Sequence, residues 1–84
     1  MLARIHLFAI ARQRAGRAVI EIDLPEASTV ADLRSRLRDA VPDLASILPT
    51  ARFAVDAEYA EDARPILPDS EIALIPPVSG GSRG

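Results

Sequence analysis

Apolar residues alternate with polar ones near the start of this chain, recur at helical spacing in its middle and form a short apolar run near its end, and within 84 residues that order admits few folds. Near the start, Ile5, Leu7 and Ala9 take one face of a strand while Arg4, His6, Phe8 and Ile10 take the other. Arg12 to Arg17, with Gly16, reads as a polar turn, and Ala18 to Leu24 then alternates Ile20, Ile22 and Leu24 against Val19, Glu21 and Asp23. An N-terminal hairpin is expected. Ser28 or Thr29 can then cap a helix, with Asp32 completing a weaker form of the capping box, which prefers Glu or Gln. Val30, Leu33, Leu37 and Ala40 form the apolar stripe of that helix, and Arg34, Arg36, Arg38 and Asp39 are assigned to its solvated face. Pro42 ends it, because the residue before a proline is driven out of the helical region.

Beyond the helix, Leu44, Ile47 and Leu48 predict a short irregular or helical-turn plug at the sheet end. Arg52 to Asp56 and Glu58 to Ala60 predict two short strands, Pro65 to Ser70 a turn, and Glu71 to Ile75 a last strand. The sum is an α+β roll in which a mixed sheet wraps one main helix. Its expected core is Ile5, Leu7, Ile20, Ile22, Leu24, Val30, Leu33, Leu37, Leu48, Phe53, Val55, Ile72 and Leu74.

Composition narrows the function. The chain has no cysteine, which removes disulfides, thiolate nucleophiles and Cys-ligated metals together and fits a reducing cytoplasm. His6 is the only imidazole, and it stands without a carboxylate or hydroxyl motif, so no metal site, bound cofactor or self-contained catalytic constellation is expected. A formal charge of -2 and an aromatic content of 4% leave neither the basic stripe nor the stacking platform of a nucleic-acid binder. No apolar run reaches the length of a membrane span, and no cleavable leader pattern is present. All basic residues are arginine, so any lysine that the chemistry requires must come from a partner.

The C-terminal segment Pro76-Pro77-Val78-Ser79-Gly80-Gly81 is built to protrude. Two prolines stop a sheet ladder and stiffen the path, and two glycines pass where no side chain fits. Extended, Pro76 to Gly81 reaches roughly 20 Å at about 3.3 Å per residue, enough to enter another protein's active site.

Together Ile5-His6-Leu7-Phe8-Ala9, Ala11-Arg12-Gln13-Arg14-Ala15-Gly16, Ser28-Thr29-Val30-Ala31-Asp32-Leu33 and Glu71-Ile72-Ala73-Leu74-Ile75-Pro76-Pro77-Val78-Ser79-Gly80-Gly81 resemble the sulfur-carrier small subunits of molybdopterin synthase, a ubiquitin-like β-grasp family. The resemblance implies a carrier domain over residues 1–81 that acts in molybdenum cofactor biosynthesis. It implies that an activating enzyme uses ATP to adenylate the carboxylate of Gly81, with Gly80 as the slim spacer. A sulfur donor then converts the adenylate to a thiocarboxylate, and the large synthase subunit receives the loaded tail. On this reading the chain is no enzyme by itself, and Phe8, Ile10, Arg12, Tyr59, Ala73 and Ile75 form a partner-binding face with Pro76, Pro77, Val78 and Ser79 of the tail. Arg4 and His6 would rim it.

Ser82-Arg83-Gly84 departs from the family pattern, because it ties Gly81 into a peptide bond. The extension over residues 82–84 is either removed by a processing protease, or an expression remnant, or a working terminus at Gly84, or a mark of lost carrier function. Trimming is favoured, since Arg83 is too bulky for a channel shaped for glycine. Other readings are a β-grasp sulfur carrier for thiamine, tRNA thiolation or cysteine synthesis, and a non-catalytic ubiquitin-like interaction module.

Overall fold

The computed structural model describes residues 1–77. Its elements are β1 (Leu2–Leu7), α1 (Ala9–Ala15), β2 (Val19–Asp23), α2 (Val30–Ala40), a 3₁₀ turn (Pro42–Leu44), β3 (Arg52–Val55), β4 (Glu58–Ala60) and β5 (Ile72–Ile75). The strands form one sheet in the order β2-β1-β5-β3-β4. β1 and β5 run parallel, with Ile5 opposite Ile72 and Leu7 opposite Leu74, and the other pairs are antiparallel. This is the mixed sheet around one main helix that the alternation predicts.

Every residue of the expected core is buried. Ala3, Ala11, Leu44, Ile47, Ala51 and Ile66 join it. Ile66 is drawn in because its segment straps the start of α2: the Ile66 N–H donates to Ser28 O at 2.8 Å and the Val30 N–H to Arg64 O at 3.0 Å. α2 opens on the expected capping box, the Asp32 N–H donating to Thr29 Oγ1 at 3.4 Å and the Thr29 N–H to Asp32 Oδ2 at 2.9 Å. It stops at Val41, directly before Pro42. Ala40 falls outside the core and is exposed.

Three expectations are corrected. The first strand ends at Leu7, and the polar turn assigned to Arg12 to Arg17 is largely helix α1. Ala9, at φ 52°, breaks the alternation and turns the chain into that helix, leaving Ala3 rather than Ala9 as the inward partner of Ile5 and Leu7. The local composition supports a helix once it has begun: Ala, Arg and Gln are good formers. Gly16 ends it at φ 75° in the left-handed conformation, and Arg12 and Arg14 lie in the last turn, where cations complement the helix dipole.

Arg34 is likewise not a solvated residue. Its Nη1 donates to Leu48 O and to Ala51 O, the latter at 2.8 Å, and its Nη2 contacts Asp62 Oδ1 at 2.9 Å. The guanidinium lies 5.1 Å from the centroid of the buried Phe53 ring. One side chain thus ties α2 to the segment before β3 and to the strap before Ile66.

The third correction is at the tail. Pro76 is buried and Pro77 is exposed, so Pro76 belongs to the folded body and not to an exposed stalk.

Candidate functional site

The sheet has one face on α2 and one face open. Register sets what the open face shows: His6 pairs with Ala73, Ala73 with Ala54, and Ala54 with Tyr59, which makes one lateral row across four strands. In the middle of that row the side chains are small, so larger neighbours stand out around it. Phe8 is 52% exposed, Tyr59 59% and Ile10 36%, whereas Ala73 and Ile75 are half-buried.

Phe8 reaches this face from the corner between β1 and α1, as the residue preceding the helix, with its carbonyl accepting from the Ala11 N–H at 3.1 Å. It lines a shallow groove with His6, Ala54, Ala57, Glu71, Ile72 and Ala73. At about 210 Å³ the groove is below the usual range of a small-molecule pocket, and it suits a side chain presented by another protein. Phe8 therefore does lie beside Ala73, although by helix capping rather than by strand alternation. Ile10 does not: it belongs to α1 and has no place in the strand row.

Tyr59 stacks against Arg52, a residue not among the expected site residues. The Arg52 guanidinium carbon sits 4.1 Å from the centroid of the Tyr59 ring. The hairpin explains the pairing, because Ala54 stands opposite Tyr59 and Arg52, two residues back on the same face, is its diagonal neighbour. The chain turns between β3 and β4 at Asp56 and Ala57, both with positive φ, 52° and 70°, as a two-residue hairpin turn requires. Arg52 also pairs with Ile75 across the β3–β5 ladder, which puts a cation next to the last strand residue before the prolines.

Arg12 is exposed on α1 and shares a shallow cleft with Gln13, Gly16 and Arg17. Arg4 lies on the open face but is bound to Glu21 at 3.2 Å, the residue paired with it on β2. His6 lies in the row itself. Val78, Ser79, Gly80 and Gly81 fall outside the described residues. The result is an apolar face with cations at its rim, and a central strand that ends beside that face and is followed by the buried Pro76 and the exposed Pro77. Among the described residues no helix is long and apolar enough to cross a membrane.

Comparison with known proteins finds relatives over nearly the whole chain. The profile of the ThiS family matches residues 5–81. Among curated proteins, the molybdopterin synthase sulfur carrier subunit of Dictyostelium discoideum is 41% identical over 81 residues, a match covering 93% of this chain and 94% of that protein. Among solved structures, SAMP1 of Haloferax volcanii superposes with a TM-score of 0.83 at 28% identity, covering 96% of this chain and all of that one. A complex of subunits 1 and 2 of the molybdopterin-converting factor of Helicobacter pylori 26695 contains the same fold, at a TM-score of 0.68 and 22% identity over 96% of this chain and 100% of that one.

Proposed function

This chain belongs to the ThiS family, and from that premise we propose that it is the sulfur-carrying small subunit of a molybdopterin synthase, active in molybdenum cofactor biosynthesis. The single observation that carries the reading is near full-length likeness to a protein of that role. It selects this pathway from among the β-grasp carriers. The geometry supports it: the tail leaves the centre of the sheet, next to an exposed apolar face fit for a partner.

In the reaction sequence, residues 1–81 are the carrier domain and residues 82–84 an extension that a protease removes to free the carboxylate of Gly81. That carboxylate attacks the α-phosphorus of ATP on an activating enzyme, pyrophosphate leaves, and an acyl-adenylate results. Sulfide-level sulfur, delivered by the donor as HS−, then adds to the carbonyl and gives up its proton. AMP leaves, and the sulfur retained on the acyl carbon gives a thiocarboxylate. The chain binds no cofactor of its own; ATP is the activating partner's substrate. Gly80 keeps the backbone slim while the tail lies in the large subunit, whose pocket supplies the acid-base groups. The complex of the Helicobacter pylori subunits supports a large-subunit partner. Phe8, Tyr59, Ala73 and Ile75 form the docking face, with Ile10 and Arg12 at its α1 edge. Pro76 is the buried root of the stalk, Pro77 begins it, and Val78 and Ser79 continue it. The absence of cysteine is in keeping with work in the cytoplasm.

The test is to incubate full-length and Gly81-terminated protein separately with activating enzyme, ATP and a sulfur source, and to weigh each intact. The Gly81-terminated form should gain the mass of one oxygen-to-sulfur exchange, and the full-length form should not. If neither form changes mass, the carrier reading fails.

The Haloferax likeness favours a second use of the same activated tail, as a modifier of other proteins. The acceptor amines would then belong to other chains, since this one contains no lysine. Tagged protein supplied with activating enzyme and a cell extract would form hydroxylamine-resistant adducts in that case, and would remain free otherwise.

A further inference from the structure

Charge is segregated along this chain more sharply than its formal net value of -2 suggests. The first twenty residues contain Arg4, Arg12, Arg14 and Arg17 and no acid at all. Because β1 and β5 are parallel neighbours, the end at which β1 gives way to α1 is also the end at which the tail departs. The antiparallel start of β3 falls at this end as well, with Arg52 beside Ile75. Arg12 and Arg17 therefore flank the exit on one side, and Arg52 flanks it on the other.

Among the described residues none of these three guanidiniums has a carboxylate within ion-pair distance; the arginines that do are Arg4, Arg34, Arg38 and Arg64. Arg14 is engaged with Ser46 Oγ at 2.7 Å and is left out of the set. The opposite end of the sheet is acidic. Asp23 closes β2, and Asp56 and Glu71 meet where β3 ends and β5 begins, the Glu71 N–H donating to Asp56 Oδ1 at 2.9 Å.

We propose that Arg12, Arg17 and Arg52 form a positive collar around the tail exit that recognises an acidic rim at the mouth of the partner's tail-accepting cavity and brings the chain in tail first. The proposal rests on the carrier reading above and adds to it the chemistry of the partner's surface. A protein occupant fits better than a phosphate ligand for a stated reason. The three cations bracket an apolar stretch of Phe8 and Ile75, with Tyr59 beyond Arg52 on the edge strand, instead of converging on one point, and an apolar patch with charged residues at its rim is the anatomy of a protein interface. Such an interface would be missed from net charge, because a chain of formal charge -2 is expected to avoid acidic surfaces. The asymmetry resolves this: an acidic rim repels the end carrying Asp23, Asp56 and Glu71 and attracts the end that carries the tail. Steering of this kind acts on the association rate more than on the lifetime of the complex.

The experiment measures association of the chain with the large molybdopterin synthase subunit by stopped flow, between about 0.1 and 1 M salt, over which the screening length falls from about 10 to about 3 Å. The unaltered chain should lose roughly tenfold or more in association rate across that range. A variant carrying Arg12→Glu, Arg17→Glu and Arg52→Glu should start at the lowered rate and show little or reversed salt dependence. Lysine at the same three positions should restore both rate and salt response, which separates charge from shape. Arg17→Glu alone, in the exposed turn after Gly16, should lower the low-salt rate severalfold and guards against misfolding of the triple variant. A salt-independent rate for the unaltered chain, or native rates for the glutamate variants, overturns the collar; the mass test for sulfur loading is unaffected by either result. A chain that loads sulfur yet never binds the large subunit at any salt also overturns it, whereas failure to load sulfur strikes the carrier reading itself.

Discussion

Removing the Arg34 side chain should destabilise this domain more than any other change to a charged residue in α2. Its guanidinium donates to two backbone carbonyls, of Leu48 and Ala51, in residues that are themselves buried. Hydrogen bonds from a charged group contribute about 1.5–3 kcal/mol each, and deletion leaves both carbonyls short of a partner. The ion pair adds little, because Asp62 is 59% exposed and such pairs contribute about 0–1 kcal/mol. Stacking near Phe53 adds about 0.5–1 kcal/mol. These terms share one side chain and do not sum freely, so Arg34→Ala is expected to cost roughly 3 kcal/mol, a large part of the 5–15 kcal/mol typical of a domain. At about 4–8 °C per kcal/mol for a chain of this size, the melting temperature should fall by about 12–24 °C. Urea unfolding at unchanged m gives the free energy directly. Asp62→Asn should cost less than about 1 kcal/mol, and Arg34→Lys should recover at most half of the loss, because a lysine lacks the fork that spans two carbonyls. If Arg34→Ala stays within about 0.5 kcal/mol of the parent, as ordinary surface changes do, the clamp is not a source of stability and the reasoning is wrong.

Other outcomes follow from single features. Ala57→Gly should raise stability by about 0.5–1 kcal/mol, since a left-handed L-residue costs about 1–2 kcal/mol and the flexibility of glycine takes back about half; a thermal melt that fails to rise would count against a strained hairpin. Thr29→Ala should cost about 1 kcal/mol through loss of the capping box, with Thr29→Ser close to native in urea unfolding. Phe8→Ala should leave the melt nearly unchanged, because the side chain is half exposed and makes no cap hydrogen bond, yet weaken binding to the large subunit about tenfold or more by calorimetry.

The elements that were legible from the sequence are those whose cause is local. Thr29 and Asp32 announce a helix start, Pro42 announces its end, and the alternation in Ile20, Ile22 and Leu24 needs only a sheet with one buried face. What was hidden depends on contacts far apart in the chain or on backbone choices that composition does not record. Ala9 carries no mark of its positive φ, so the regular alternation from Arg4 to Ile10 continued past the true strand end. Gly16 was visible as a breaker, but a glycine after Ala-Arg-Gln residues is equally a helix cap, and only that second reading would have revealed α1. Arg34 looks like any solvated arginine until residues 48, 51 and 62 are folded around it. At the candidate site, Phe8 was legible as an apolar residue on the wrong face for the core, and Tyr59 only by its position in the family pattern. Arg52 was not, though the hairpin register of Ala54 with Tyr59 was enough to place it.

The placement of β5 has a consequence for how the molecule is made. Residues 72–75 are the latest strand among the described residues, yet they sit third of five, joining β2-β1 to β3-β4. A nascent polypeptide lacking them holds two separate ribbons and no continuous sheet, so completion of the structure must wait until synthesis has passed Ile75. Truncated products would lack both the folded body and the means to occupy a partner's cavity, so premature termination would not generate well-formed competitors.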